Sequence, residues 1–142
     1  MKLEKKWRVI VKPKSKYNFD DLQLAEVQSQ DIHTITEMEE KYPQMTERFK
    51  ELQKEQYSLF CKKQKDYGSQ NISVGTKLET DEEVQMSLYG IWFRMHDKIQ
   101  RAKNLIMQND PAVEDEPLED AFLDMSNYGI MATLVKEKIW GK

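Results

Sequence analysis

The chain has 142 residues, of which 33% are charged and 39% hydrophobic, and this balance favours one helical globular domain over a β-sandwich or a disordered chain. Its formal net charge of -3 excludes a protein that binds nucleic acid electrostatically over its whole surface, so direct DNA binding is not expected. The single cysteine, Cys61, excludes an internal disulfide and a metal cluster built from cysteines.

Residues 1–30 carry a strand-like pattern that the rest of the chain lacks. Trp7, Val9 and Val11 occupy every second position before Pro13 ends the run. We therefore predict a short N-terminal β-strand or hairpin extension over 1–30, followed by a helical domain over 31–142. The N-terminus lacks the long apolar core of a signal peptide, and no apolar run approaches the length needed to cross a membrane. A cytoplasmic protein is expected.

Helical periodicity begins after this extension. A short helix is predicted over 31–43 and a longer one over 46–67, with Thr46 as its N-cap. Residues 68–83 are polar and are predicted to form a loop, with Gly68 as the C-cap of the preceding helix. A polar loop of this length in a small domain is typical of a functional or mobile segment.

A central helix is predicted over 88–107. Apolar side chains recur along it at helical spacing and are expected to face the core: Ile91, Trp92, Met95, Ile99 and Ala102. Three basic side chains follow a neighbouring stripe at steps of four and three: Arg94, Lys98 and Arg101. Such a cluster suits a bound phosphate or carboxylates presented by another helix.

The last helix is predicted over 117–136 and carries an acidic seam between two apolar stripes. The seam contains Glu116, Asp120, Asp124 and Asn127, at steps of four, four and three. Buried carboxylates need cations or hydrogen-bond donors. One solution is a Mg²⁺ ion on these acids that in turn holds substrate phosphates. The other is direct pairing of the acids with the basic stripe, and the residues alone favour this second solution slightly.

Weaker signals lie at the end of the helix over 46–67. Asp66 is a candidate to complete a metal site, Tyr67 to stack on a base, and Asn71 to contact a base or sugar edge. The simpler interpretation of all three is structural, namely a helix end with an aromatic cap followed by a turn.

Three segments together resemble a known family. They are KDYGSQN, then GIWFRMHDKIQRAKNL, then VEDEPLEDAFLDMSNYGIMATL, from about Phe60 to Leu134. In these segments the chain resembles nucleotide modification associated domain 1, a helical domain common in bacteriophages. The resemblance implies a role in phage nucleotide metabolism or DNA base modification, and the host cytoplasm as its location if the gene is carried by a phage.

The layout is also similar, more distantly, to the all-α nucleotide pyrophosphohydrolases of the MazG type. In that group acids from two helices hold Mg²⁺, and a nucleoside triphosphate is cleaved to monophosphate and pyrophosphate. The acidic last helix would correspond to their second acidic helix. The first acidic helix differs, because this chain has Glu51 and Glu55 four residues apart where that group has a Glu-x-x-Glu pair.

The first functional interpretation is a nucleotide-binding protein that acts on a nucleoside phosphate through Mg²⁺-assisted attack of water on a phosphoanhydride. The residues assigned to this role are Asp120 and Asp124 for catalysis; Glu116, Asp120, Asp124 and Asp66 for the metal; and Tyr67, Asn71, Arg94, Lys98, Arg101 and Asn127 for the substrate. The second is a non-catalytic nucleotide-binding or accessory protein for base modification or nucleotide sequestration. The third is purely structural, with acids and bases locked in ion pairs. A homo-oligomer, a dimer or higher, is expected under all three.

Overall fold

The computed structural model describes residues 29–108 and 116–142. They form five α-helices and no strand: α1 (Ser29–Lys41), α2 (Pro43–Tyr67), α3 (Gln70–Ser73), α4 (Asp81–Gln108) and α5 (Leu118–Lys136). The all-α fold class is confirmed. The predicted N-terminal strand or hairpin lies outside the described residues, and the domain boundary after residue 30 stays a prediction. None of the helices in these two ranges is long and apolar enough to span a membrane.

The chain divides into two compact units, Met1–Ser58 and Leu59–Lys142. In the described part of the first unit, Glu39 of α1 and Lys50 of α2 form an ion pair with a nitrogen–oxygen distance of 2.5 Å. No residue of α2 is buried. The contact between Glu39 and Lys50 is therefore a surface ion pair.

The second helix begins three residues earlier than predicted, at Pro43. Proline suits the first turn of a helix because its fixed φ is already helical and its missing N–H would have no partner there. Thr46 lies inside the helix, and its hydroxyl donates to the main-chain oxygens of Tyr42 and Pro43. The prediction of Thr46 as an N-cap was therefore wrong.

The stretch predicted as a loop over 68–83 is partly helical. Gly68 ends α2 at a φ of +71°, as predicted for a C-cap, and α3 follows almost at once. The fourth helix already begins at Asp81, behind a capping box. In that box the Glu83 amide donates to the Thr80 hydroxyl at 3.2 Å, and the Thr80 amide donates to the Glu83 carboxylate at 3.4 Å. The Thr-x-x-Glu spacing was the sequence signal for this earlier start.

The core of the second unit lies between α4, α5 and the segments that follow α2 and α5. Its buried apolar members are Ile72, Leu78, Val84, Ile91, Met131, Val135 and Trp140. The buried Ser87 hydroxyl donates to the main-chain oxygen of Ile72 at 2.6 Å, which docks α3 on α4. The Trp140 indole donates to the Ser69 oxygen at 2.8 Å, so the C-terminal segment is fixed against the start of α3.

The predicted apolar stripe of α4 is only partly buried. Ile91 and Ala102 are 2% and 4% exposed, as expected for core positions. Trp92 is 56% exposed and Ile99 is 48% exposed, so the expectation that they face the core was wrong. The Trp92 ring instead stacks on His96 with ring centroids 5.5 Å apart. Sequence periodicity alone could not separate the buried edge of the stripe from its exposed edge.

Candidate functional site

The second unit contains a pocket of about 320 Å³ between four helices. From α2 and α3 it receives Lys63, Tyr67 and Asn71, and from α4 it receives Arg94 and Lys98. The spacing of four between the two basic residues of α4 places them one turn apart on the same helix face. The pocket is therefore lined by basic and aromatic side chains that are distant in sequence.

The fifth helix completes the pocket. It contributes Asp124, Asn127, Tyr128 and Met131, whose spacing of three and four puts them on one side of α5. Asn127 is buried, at 9% exposure. The lining thus combines one carboxylate, one amide and one phenol from a single helix face.

Asp124 bridges two lysines from two other helices. Its Oδ1 lies 2.7 Å from Lys63 Nζ of α2, and its Oδ2 lies 2.8 Å from Lys98 Nζ of α4. The side chain of Asp124 is 13% exposed, while those of Lys63 and Lys98 are 42% and 27% exposed. One carboxylate therefore holds two ammonium groups at the pocket wall, and the ammonium groups keep their access to solvent.

The environment of Asp124 favours its charged form. Burial raises the pKa of this carboxyl, but hydrogen bonds from Lys63 and Lys98 outweigh burial and hold the pKa below its ordinary value. The same hydrogen bond raises the pKa of Lys98. Asp124 and Lys98 are therefore both charged near neutral pH, and the contact between them is an ion pair.

Arg94 is paired with an asparagine rather than an acid. Its Nη2 donates to the main-chain oxygen of Asn71 at 3.0 Å and to Asn71 Oδ1 at 2.9 Å. Both bonds go to one residue of the short helix α3, so they fix the position of that residue at the pocket rim. Within residues 29–108 and 116–142, no carboxylate forms an ion pair with this guanidinium group, so its charge adds to the positive charge of the pocket.

Arg101, the third basic residue of the predicted stripe, does not line this pocket. It donates to the main-chain oxygen of Glu116, and its guanidinium lies 3.7 Å from the Glu116 carboxylate. The predicted pairing of acids with the basic stripe is confirmed for Lys98 with Asp124 and for Arg101 with Glu116. The contact between Arg101 and Glu116 fixes the segment that leads into α5.

The acids predicted to bind metal do not come together. Asp66 and Asp120 are exposed and lie outside the pocket lining. Within 29–108 and 116–142, no three His, Cys, Asp or Glu side chains are grouped to hold a metal ion. Both oxygens of Asp124 already face ammonium groups, which repel a divalent cation. The four predicted ligands therefore do not fit a Mg²⁺ site in the described part of one chain.

Sequence reasoning missed three polar residues of the pocket, Lys63, Gln64 and Tyr128. Lys63 stands in the basic run Lys62, Lys63, Lys65, where nothing distinguishes it from solvated neighbours. Its one signal is its spacing of four from Tyr67, which places the two on one face of α2. Tyr128 follows the predicted Asn127 directly and packs partly against the core.

Comparison with known protein families gives a match that covers the residues of this pocket. The family described as nucleotide modification associated domain 1 matches residues 63–135, just over half of the 142 residues. The matched segment contains all the polar residues of the pocket, from Lys63 to Tyr128. No curated protein and no solved structure gave a significant match.

Proposed function

The chain belongs to the nucleotide modification associated domain 1 family, and on that premise we propose that its pocket binds a nucleoside phosphate. The observation that carries the proposal is the bridge from Lys63 through Asp124 to Lys98. Each ammonium group has three N–H donors and uses one of them on Asp124. The remaining donors of both lysines are available for the oxygens of one phosphate.

The carboxylate acts as a positioning group in this proposal. Without Asp124, two ammonium groups at the wall of one pocket would repel each other and separate. With it, they are held at a fixed spacing before the ligand arrives, so less side-chain freedom is lost on binding. Asp124 therefore takes the role of a support for the lysines, which replaces its predicted role as a metal ligand.

Charge and size favour a monophosphate. Three cations, Lys63, Arg94 and Lys98, and one carboxylate, Asp124, give the lining a formal net charge of +2. A phosphate monoester carries about −1.5 to −2 near neutral pH, which matches this charge. The volume of about 320 Å³ is at the lower end for small-molecule sites. Longer phosphate chains add negative charge that no further cation of this lining offsets.

The rest of the lining suits a nucleoside. Tyr67 is 67% exposed, so one face of its ring is accessible for stacking on a base. Asn71 and Asn127 supply amide groups for the polar edges of a base or sugar. These assignments keep the predicted substrate role of Tyr67, Asn71, Arg94, Lys98 and Asn127 and add Lys63.

The pocket could either hydrolyse the bound nucleotide or only bind it. The similarity to MazG-type enzymes implies Mg²⁺-dependent cleavage of a triphosphate, with Asp120 and Asp124 as catalytic groups. The pairing of Asp124 with two lysines favours the alternative, a non-catalytic protein that binds nucleotides for base modification or sequesters them. We therefore propose binding as the primary function, and hydrolysis stays a prediction that product analysis tests.

The experiment is a calorimetric titration of the purified protein with inorganic phosphate and with the mono-, di- and triphosphates of deoxyuridine, with and without Mg²⁺. The same mixtures are then separated by liquid chromatography and identified by mass spectrometry. We expect the monophosphate to bind without Mg²⁺, and the triphosphate to bind no more tightly. Pyrophosphate and monophosphate appearing from the triphosphate would establish the hydrolase. Failure of every nucleotide to bind would overturn the proposal.

Self-association also stays a prediction. The large apolar side chains that α4 exposes include Tyr89, Trp92 and Phe93, each between 56% and 60% exposed. Contiguous exposed apolar surface is typical of interaction sites. Light scattering after size-exclusion chromatography measures the mass of the particle directly and tests the expected homo-oligomer.

A further inference from the structure

The contact between Arg94 and Asn71 determines which end of the Asn71 amide is available to a ligand. Arg94 Nη2 donates to Asn71 Oδ1 at 2.9 Å and also holds the main-chain oxygen of the same residue at 3.0 Å. A guanidinium group only donates hydrogen bonds. If the amide turned over, its NH₂ group would face another donor and the bond would be lost. The Nδ2 donor therefore stays on the side away from Arg94.

We propose that Asn71 is a specificity-determining residue that selects nucleotides whose base carries a keto oxygen at C4 of a pyrimidine or C6 of a purine. This inference rests on the proposed function, because it concerns the base of a nucleotide whose phosphate lies at Lys63 and Lys98. It names a class of base: uracil, thymine and hypoxanthine have a keto oxygen where cytosine and adenine have an amino group.

The positions along α4 agree with this assignment. Arg94 and Lys98 are four residues apart, so their side chains lie one helical turn apart. A phosphate bound by Lys98 and Lys63 leaves Arg94 and Asn71 at the next turn of the pocket. Tyr67 lines the same pocket and offers an exposed ring for stacking. The base of a mononucleotide can thus lie beside Asn71 while its phosphate is held by the lysines.

The side chains at that position offer hydrogen-bond donors to a base. The side-chain oxygen of Asn71 is occupied by Arg94, and the guanidinium group of Arg94 contains no acceptor atom. Both side chains therefore present N–H groups. A keto oxygen of a base accepts from such groups, whereas the amino groups of cytosine and adenine are donors themselves. A donor placed against a donor leaves both unpaired, which costs more than a hydrogen bond that is simply absent. Amino bases should therefore be rejected.

Two matched pairs of ligands test this in the unmodified protein by calorimetric titration. Deoxyuridine and deoxycytidine monophosphate differ chiefly in a keto or amino group at one ring position, and deoxyinosine and deoxyadenosine monophosphate differ in the same way. We expect the keto member of each pair to bind about tenfold more tightly, the size of one hydrogen bond. These measurements need no variant, so they do not depend on whether a mutant folds.

The substitution Asn71→Asp tests the residue itself. A carboxylate has only acceptors, so one oxygen would remain with Arg94 and the other would accept from the amino group of cytosine. We expect the ratio of deoxyuridine to deoxycytidine monophosphate affinity to reverse. The matched control is Gln70→Glu, which makes the same amide-to-acid change one residue earlier, outside the pocket lining. It should keep the keto preference.

The outcomes separate the two proposals. Equal binding within each pair, or a preference of the unmodified protein for the amino base, overturns the inference and leaves phosphate binding intact. An Asn71→Asp protein that folds and keeps the original ratio also overturns it. Failure of all four monophosphates to bind overturns the proposed function, and this inference with it.

Discussion

Two of the ion trios in the described part of this chain, each a set of three charged side chains in contact, have opposite arrangements. In the first unit, Arg48 lies between Glu51 and Glu55 at 2.9 and 3.0 Å, all three on α2 and each more than half exposed. In the second unit, one carboxylate from α5 lies between lysines from α2 and α4 and is 13% exposed. The first trio is local and places a cation between anions. The second joins three helices and places an anion between cations, with net positive charge remaining.

The comparison shows why an ion pair is not in itself evidence of a site. Exposed pairs within one helix gain little, because water and salt screen them and the side chains lose freedom. A partly buried carboxylate between separate helices both stabilises the packing and orients the two cations toward the pocket. The difference lies in burial and in the number of helices joined, which are properties of the folded chain.

The largest expected difference between the trios is in stability. We expect Asp124→Asn to lower the free energy of unfolding by about 1–3 kcal/mol, because two partly buried ammonium groups lose their shared counter-charge. Arg48→Gln should give no resolvable change, because its trio is exposed and lies within one helix, where water and salt screen the charges. Urea unfolding followed by far-ultraviolet circular dichroism, which reports on the helices of both units, measures the two variants with one probe. Equal losses in the two variants would contradict the distinction.

A smaller effect is expected from pH. The pKa of Asp124 is held below its ordinary value of 3.8, so its contribution to stability is fully present above that value. The contribution is lost as the pH falls through the lower pKa of the folded state. The stability difference between the unmodified protein and Asp124→Asn should therefore be constant from about pH 7 to pH 5 and narrow below about pH 4. Urea titrations at each pH measure it, and a difference that widens on acidification would contradict the account.

The sequence predicted the fold class and much of the basic and acidic lining, because both follow from helical spacing. Arg94 and Lys98 were found from their shared face on α4, and Asp124 from its place in the acidic seam of α5. The same spacing also included Arg101 and Asp120, which lie outside the pocket. Spacing defines a helix face, but which part of that face meets a neighbouring helix is set by tertiary packing.

Other features were not accessible from spacing at all. Lys63 meets Asp124 across 61 positions of sequence, and nothing local distinguishes it from Lys62 or Lys65. The pairing of Arg94 with Asn71 depends on α3, a one-turn helix inside a stretch predicted as loop. The metal prediction assumed that acids at steps of four act together. In the structure Asp124 instead pairs with Lys63 and Lys98, and Glu116 pairs with Arg101.

The most direct test of the central claim is a titration of lysine variants with deoxyuridine monophosphate. Lys63→Met and Lys98→Met each remove one cation of the bridge, and Lys103→Met removes an exposed lysine of α4 that does not line the pocket. If the bridged lysines hold the phosphate, each of the first two variants should bind at least about tenfold more weakly than the unmodified protein, and the control should bind equally well. Lys63→Met and Lys98→Met proteins that bind as tightly as the Lys103→Met control would show that the phosphate does not lie at this bridge.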